Sequence, residues 1–146
     1  MHRFRFTGTS RPDIYLDDPN KNMLYRYRRL FAQLALALIA EQQDQKAALV
    51  LQRAEKVIPY YNIPADYLYG NDLDIARAYL LIGKTADAKR VVRLLWQKYA
   101  QYLRWYDSLD SRLAAIVHDE QARNTYIMQQ IANMAQLIDP EWAQQL

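Results

Sequence analysis

The sequence predicts an all-α fold, and three observations predict it. Three glycines and five prolines are few for the tight turns that an all-β chain of 146 residues needs. Ala, Leu, Gln and Arg, which propagate helices readily, are abundant. Apolar residues also recur at three- and four-residue steps through most of the chain, the period of a helix that buries one face. A chain of this length suits one domain, 1–146, able to bury a core without disulfides or metal.

Residues 1–18 read as an extended arm. Phe4 and Phe6 alternate with Arg3 and Arg5, Gly8 and Pro12 punctuate, and Ile14-Tyr15-Leu16 favours extended backbone. The arm is expected to pack along helices rather than form a sheet. Asp17-Asp18-Pro19 supplies a capping carboxylate and a first-turn proline, so a helix is expected over 19–41, with Met23, Tyr27, Leu30, Leu34 and Leu38 as its buried stripe. The apolar run that opens at Phe31 is broken by Gln33 and stopped by Glu41, well short of the roughly 20 residues of a bilayer span. Asp44 is expected to cap a second helix over 45–58, which Pro59 ends and which completes a first helix pair, 19–59.

The stretch YYNIPADYLYGN, 60–71, contains Pro64, Gly70 and four tyrosines, and reads as an ordered aromatic loop. Its Tyr60, Tyr61, Tyr67 and Tyr69 form a candidate aromatic surface. A second pair follows over 72–106: a helix over 72–82, Gly83 as a left-handed cap, then Thr85 capping a helix to about 106. Leu109, Leu113, Ile116 and Val117 make one further stripe, and Tyr126, Ile127, Ile131, Met134 and Ile138 another, with Pro140 closing it. These predict two more helices, or one with a kink, as C-terminal capping elements over 107–146.

Several function classes are excluded or weakened by composition. Without cysteine there are no disulfides, thiolate metal sites or cysteine nucleophiles, although this identifies no compartment. A net charge of +3 with interspersed signs is a mild bias, so nucleic acid is not the expected partner. MHRFRFTGTSRP lacks the apolar run of a secretory signal, which leaves a cytosolic domain or a piece of a longer chain. His118-Asp119-Glu120 is the one metal candidate, but adjacent helical residues point about 100° apart and do not converge on an ion. Asp107 with Asp110, or Asp72 with Asp74, could pair for acid/base work, yet the same spacing arises from helix capping. Glycines at 8, 70 and 83 build neither a phosphate loop nor a dinucleotide fingerprint. No metal, cofactor or catalytic residue is therefore expected.

Two aromatic and basic groupings have a structural reading beside a functional one. Arg26-Tyr27-Arg28-Arg29, near Lys21, has the composition of a single-strand binder, but helical geometry spreads those side chains and puts Tyr27 on the core stripe. Trp96, Trp105 and Trp142 with Tyr99, Tyr102 and Tyr106 could line a sugar-binding surface, whereas their periodic spacing favours core packing.

Helix, short turn, helix occurs twice. Leu34, Ala35 and Leu38 precede Ala47, Leu51 and Ala54 in the first unit; Ile75, Ala76 and Tyr79 precede Ala88, Val92 and Leu95 in the second. These residues resemble the tetratricopeptide pattern, in which small alanines let paired helices approach. The resemblance implies a right-handed array of antiparallel helix pairs. The alignment of Ala47 with Ala88 sets an offset of 41 residues, against 34 in that family, and the tyrosine loop is where the extra residues are expected. The second unit lacks the terminal proline.

A wider resemblance spans RPDIYLDD, MLYRYRRLFAQLALALIAEQQDQKA and IPADYLYGNDLDIARAYLLIGKTADAKRVVRLLWQKY. In order, these are similar to the C-terminal soluble region of multi-pass bacterial membrane proteins resembling protein O-mannosyltransferases. The matching elements are Tyr15-Leu16-Asp17, the run from Arg28 to Leu34, and Pro64-x-Asp66-Tyr67. The resemblance implies a non-catalytic scaffolding module on the extracytoplasmic side, with glycosyl transfer confined to a membrane half that this chain does not contain. Its partner would be a protein or peptide, or that membrane half. Alternatives are a module that binds carbohydrate or a lipid-linked acceptor, and a free-standing adaptor.

In the tetratricopeptide register the groove-facing residues are Arg29, Ala32, Leu36 and Ile39, then Leu73, Arg77, Leu80 and Leu81. So much apolar surface is expected to be covered, and helices over 108–138 are expected to fold back and fill it, leaving a small peptide site near Arg29 and Arg77.

Overall fold

A computed structural model describes residues 8–146, so the readings made on Phe4, Phe6, Arg3, Arg5 and the rest of 1–7 lie outside the described residues. Among the described residues the chain is all-helical, with seven helices and no strand. They are α1 (Asp18–Ala40), α2 (Asp44–Val57), α3 (Asp72–Leu81), α4 (Thr85–Asp107), α5 (Ser111–Ile116), α6 (His118–Ile138) and α7 (Pro140–Ala143).

Helix starts follow two chemistries. Asp17 caps α1 by accepting the Asn20 N–H at 2.9 Å, with Pro19 in the first turn, and Asp110 and Asp139 cap α5 and α7 in the same manner. Asp44 and Thr85, expected as caps, instead lie inside their helices, and neither Gln43 nor Lys84 before them makes a side-chain cap bond. The reason lies in the turn. Gln42 (φ 60°) and Gly83 (φ 77°) reverse the chain in the left-handed region, which leaves Gln43 and Lys84, rather than a short Ser, Thr, Asp or Asn, at the cap position.

The two turns correspond bond for bond at the 41-residue offset. Gln43 N–H donates to Leu38 O and Lys84 N–H to Tyr79 O, both at 2.8 Å; Gln42 N–H donates to Ile39 O and Gly83 N–H to Leu80 O. The helix lengths do not correspond. The stretch 59–81 is the counterpart of α1, but Pro59, Pro64 and Gly70 hold its first half out of helix, and only α3, 10 residues against 23, is helical. The long connection between α2 and α3 is this loop, the place where the sequence put the residues beyond the 34-residue period. α4, also 23 residues, runs past the start of α3 and flanks the loop.

α1 packs on α2 and α3, α3 on α4, and α6 along α4 with a lighter contact on α3. Alanines mark the close approaches: Ala32, Ala35, Ala47, Ala76, Ala78 and Ala88 are completely buried within one main core. The buried side of α1 is Leu24, Arg28, Ala32 and Ala35, one residue on from the expected stripe; Met23 and Leu30 are exposed. α1 is gripped from two sides, so from Arg28 to Ala35 its buried line is small or hydrogen-bonded, Leu24 packs apart from it with Val57, Ile58 and Ile63, and Tyr27, Leu34 and Leu38 fall on the flanks.

At the C-terminus Val117 (φ −100°, ψ 8°) separates α5 from α6. Ile127, Ile131 and Met134 of the predicted stripe are buried, whereas Tyr126 is exposed. α5 buries no residue, and Leu113 and Ile116 face outward, because this short helix touches little besides α6. The groove-filling role expected of 108–138 is not what forms. α6 spends its apolar face on α4 and makes no comparable contact with α1.

Candidate functional site

The polar centre of the molecule is Arg28, one of the basic residues that reasoning from sequence spread around the first helix. Its side chain is 2% exposed, and the guanidinium donates to three loop carbonyls, Ile58 O (3.0 Å), Ile63 O (2.6 Å) and Pro64 O (3.2 Å), and to Asp72 Oδ2 (3.3 Å). A planar group with five donors suits this task, since an irregular loop leaves several carbonyls without ladder partners. The guanidinium also lies 4.5 Å from the Tyr60 ring centroid and 5.8 Å from that of Tyr25, within cation–π range.

Asp72 answers Arg28 from the first turn of α3 and is itself fully buried. It accepts the Tyr60 hydroxyl at 3.0 Å and the Asp66 N–H at 2.7 Å, while its own N–H donates to Asp66 O. Burial pushes the Asp72 carboxyl up, against the opposing pull of Arg28. The Tyr60 phenol is held well above its ordinary range, first by burial and then by the Asp72 charge. Among the described residues no buried side-chain polar atom is left without a partner. Gly70 is dictated by close approach: a Cβ there would stand 2.8 Å from Asp72 Oδ2 and 3.1 Å from the Tyr25 ring.

A second buried carboxylate, Asp66, pins the far side of the loop. It accepts the Tyr69 N–H at 2.6 Å and pairs with Lys98 of α4 at 2.6 Å. Tyr67 N–H donates to the hydroxyl of buried Tyr99. The loop is therefore tied to α1, α3 and α4 at once, which makes it an ordered platform.

The four tyrosines of the expected aromatic surface separate. Tyr60 belongs to the Arg28 cluster, Tyr61 bonds Ser10 O of the arm, and Tyr67 sits near Asp74, Arg77 and Tyr126. Tyr69 is exposed and meets Tyr25 of α1, ring centroids 6.1 Å apart. Exposed Tyr102 extends this surface, close enough to Tyr25 for their phenols to interact, and packs edge-on against Tyr99 at 5.9 Å. The tryptophans form no common face: Trp142 is buried under Lys89 and Arg93, Trp96 is partly buried against the core, and Trp105 is half exposed beside Tyr106.

Of the expected groove, Ala32 and Leu73 are core residues, and Leu36, Ile39 and Leu80 are partly buried against the core. Arg29, Arg77 and Leu81 are exposed. Arg77 pairs with Asp74 at 3.3 Å, and Asn71 also bonds Asp74. Two of the other candidate carboxylates have structural duties: Asp72 serves Arg28, and Asp110 accepts the Arg112 and Leu113 N–H groups, while Asp107 is exposed at the end of α4. His118 and Asp119 are exposed, and among the described residues no group of His and carboxylate side chains gathers to hold a metal ion.

Comparison of the chain with protein-family models, with curated proteins and with solved structures returned no match. No helix among the described residues is long and apolar enough to cross a membrane.

Proposed function

We propose that this chain is a non-catalytic interaction module built from two tetratricopeptide-like helix pairs, whose partner face runs across α1 and α3 beside Arg29 and Arg77. One observation carries the reading: the two turns have matching hydrogen bonds at a 41-residue offset. At that offset Leu36 corresponds to Arg77, Ile39 to Leu80 and Ala40 to Leu81, so one face recurs on both helices. α6 leaves that face uncovered along α1. Arg29 and Arg77 favour an acidic partner segment, met by charge at the rim and by Leu36, Ile39, Leu80 and Leu81 between.

The test is a titration of ¹⁵N-labelled protein with acidic peptides, free and amidated at the C-terminus. Shifts centred on Arg29, Leu36, Arg77 and Leu81, and lost in Arg29→Glu/Arg77→Glu, are expected. Shifts that ignore the double charge reversal would sink the reading.

On the wider resemblance, the module serves a membrane glycosyltransferase-like protein from the extracytoplasmic side. Genomic sequence upstream tests this: a frame continuing into several spans of about 20 apolar residues supports it, and an in-frame stop removes it. A second reading, a saccharide-binding module, is favoured by exposed Tyr69 and Tyr102 around Tyr25 over ions that are already paired. It requires oligosaccharide binding that Tyr69→Ala abolishes.

A further inference from the structure

We propose that the described part of the arm, residues 8–17, is a strap, held to the loop end of the molecule by a clamp that reads main chain, and that its release opens this end while the main core stays folded. The clamp is Tyr61 and Asn62. Asn62 Nδ2 donates to Thr9 O and to Arg11 O, each at 2.8 Å, and the Tyr61 hydroxyl donates to Ser10 O at 2.5 Å. Three successive carbonyls of a turn, which Arg11 N–H closes by donating to Gly8 O at 3.0 Å, are thus read by two neighbouring side chains. Every residue type carries that carbonyl, so the clamp reads the backbone of the turn and not its side chains. Thr9 adds one bond of its own, Oγ to Val57 O at 2.5 Å, which satisfies a carbonyl that the end of α2 leaves open.

The loop that carries the clamp is rigid on its inner side. Asn62 and Ile63 N–H groups both donate to Pro59 O, and Arg28 takes Ile58 O, Ile63 O and Pro64 O from beneath. The loop therefore lies between Arg28 and the arm. Under the arm is a small apolar cluster of its own, in which Leu24, Val57, Ile58 and Ile63 are buried and Leu16, Tyr25 and Tyr27 pack against them. The main core gathers a far larger set of residues from α1 to α4, α6 and α7. A unit with few buried apolar groups and exposed hydrogen bonds opens at lower free energy than the core it adjoins. Ser10, Arg11, Pro12, Asp13 and Tyr15 face solvent, so nothing but the clamp and the small cluster holds the arm.

The chain has no cysteine, so a single one can carry a spin label without further change. Tyr15→Cys, at a position 88% exposed, places the label on the strap of the full chain. The electron paramagnetic resonance spectrum is expected to show an immobilised label, to turn largely mobile in Tyr61→Phe/Asn62→Ala, and to be intermediate in Tyr61→Phe alone. The helical unfolding midpoint is expected to move by only a few degrees in these variants. Ser10→Ala and Arg11→Ala are expected to leave the label immobilised, since neither touches the carbonyls. Three results would overturn the proposal: a label still immobilised in the double variant, helices that melt as the arm is freed, or mobilisation by Ser10→Ala.

Discussion

At the scale of single residues the stability of this fold turns on Arg28. Replacing it with methionine strands the Asp72 carboxylate and three loop carbonyls in a dry site, and breaking a buried pair in this way costs about 3–5 kcal/mol. Urea unfolding of Arg28→Met should show a midpoint lowered accordingly at unchanged slope. Arg28→Lys should also destabilise, because an ammonium cannot reach carbonyls on both sides of the loop. Arg28→Met/Asp72→Asn should regain part of the loss, and a double variant no better than the sum of the singles would mean that the two groups do not act as a pair. Backbone conformation gives a second contrast. Nothing crowds a Cβ at Gly83, so Gly83→Ala costs only the left-handed conformation, about 1 kcal/mol. Gln42, which already bears that strain at the equivalent turn, should tolerate glycine with stability equal or up to about 1 kcal/mol higher by the same measurement.

At the scale of elements, α5 and α6 predict opposite responses to the same kind of change. Leu113→Ser and Ile116→Ser alter side chains that α5 leaves exposed and should shift stability by no more than about 0.5 kcal/mol. Ile127→Ala or Ile131→Ala empties a site between α6 and α4 and should cost about 2–5 kcal/mol in the same denaturation assay. The apolar stripe of α5 was legible in the sequence, but its burial was not, because periodicity shows which residues share a face and not whether another element covers it. The helix positions, the Gly83 turn and the interhelical alanines were legible, since each depends on neighbours in the chain. Arg28 was not, although it stands four residues from both Leu24 and Ala32, on a line that is otherwise apolar. Its role depends on a loop thirty residues away that leaves carbonyls unpaired, and no local pattern announces that need. The groove residues divided for a similar reason: Ala32 and Leu73 are buried by the packing of α1 on α3, while Arg29 and Arg77 lie beyond it.

At the scale of the whole molecule, the tyrosines join the loop, the core and the exposed surface into one titrating system. Burial is the first cause that raises Tyr25, Tyr60, Tyr67, Tyr79 and Tyr99, and nearby carboxylates, Asp66, Asp72, Asp74 and Glu55, reinforce it. Tyr25 is pushed up to about 12. In the unfolded chain each of these phenols returns to about 10. The folded state therefore holds their protons more tightly, and the stability they contribute is complete below pH 10 or so and is lost as pH rises through the folded values. The loss begins near the unfolded value and steepens toward that of Tyr25. Phenolate absorbance near 295 nm, followed beside far-ultraviolet circular dichroism, checks this. Absorbance from the raised phenols should rise only in a step that coincides with loss of the helices. Tyr25→Phe should move that step to higher pH, because one proton fewer is then released on unfolding. If all the phenols ionised in one step near pH 10 with the helices unchanged, the tyrosines would not be packed as the fold places them.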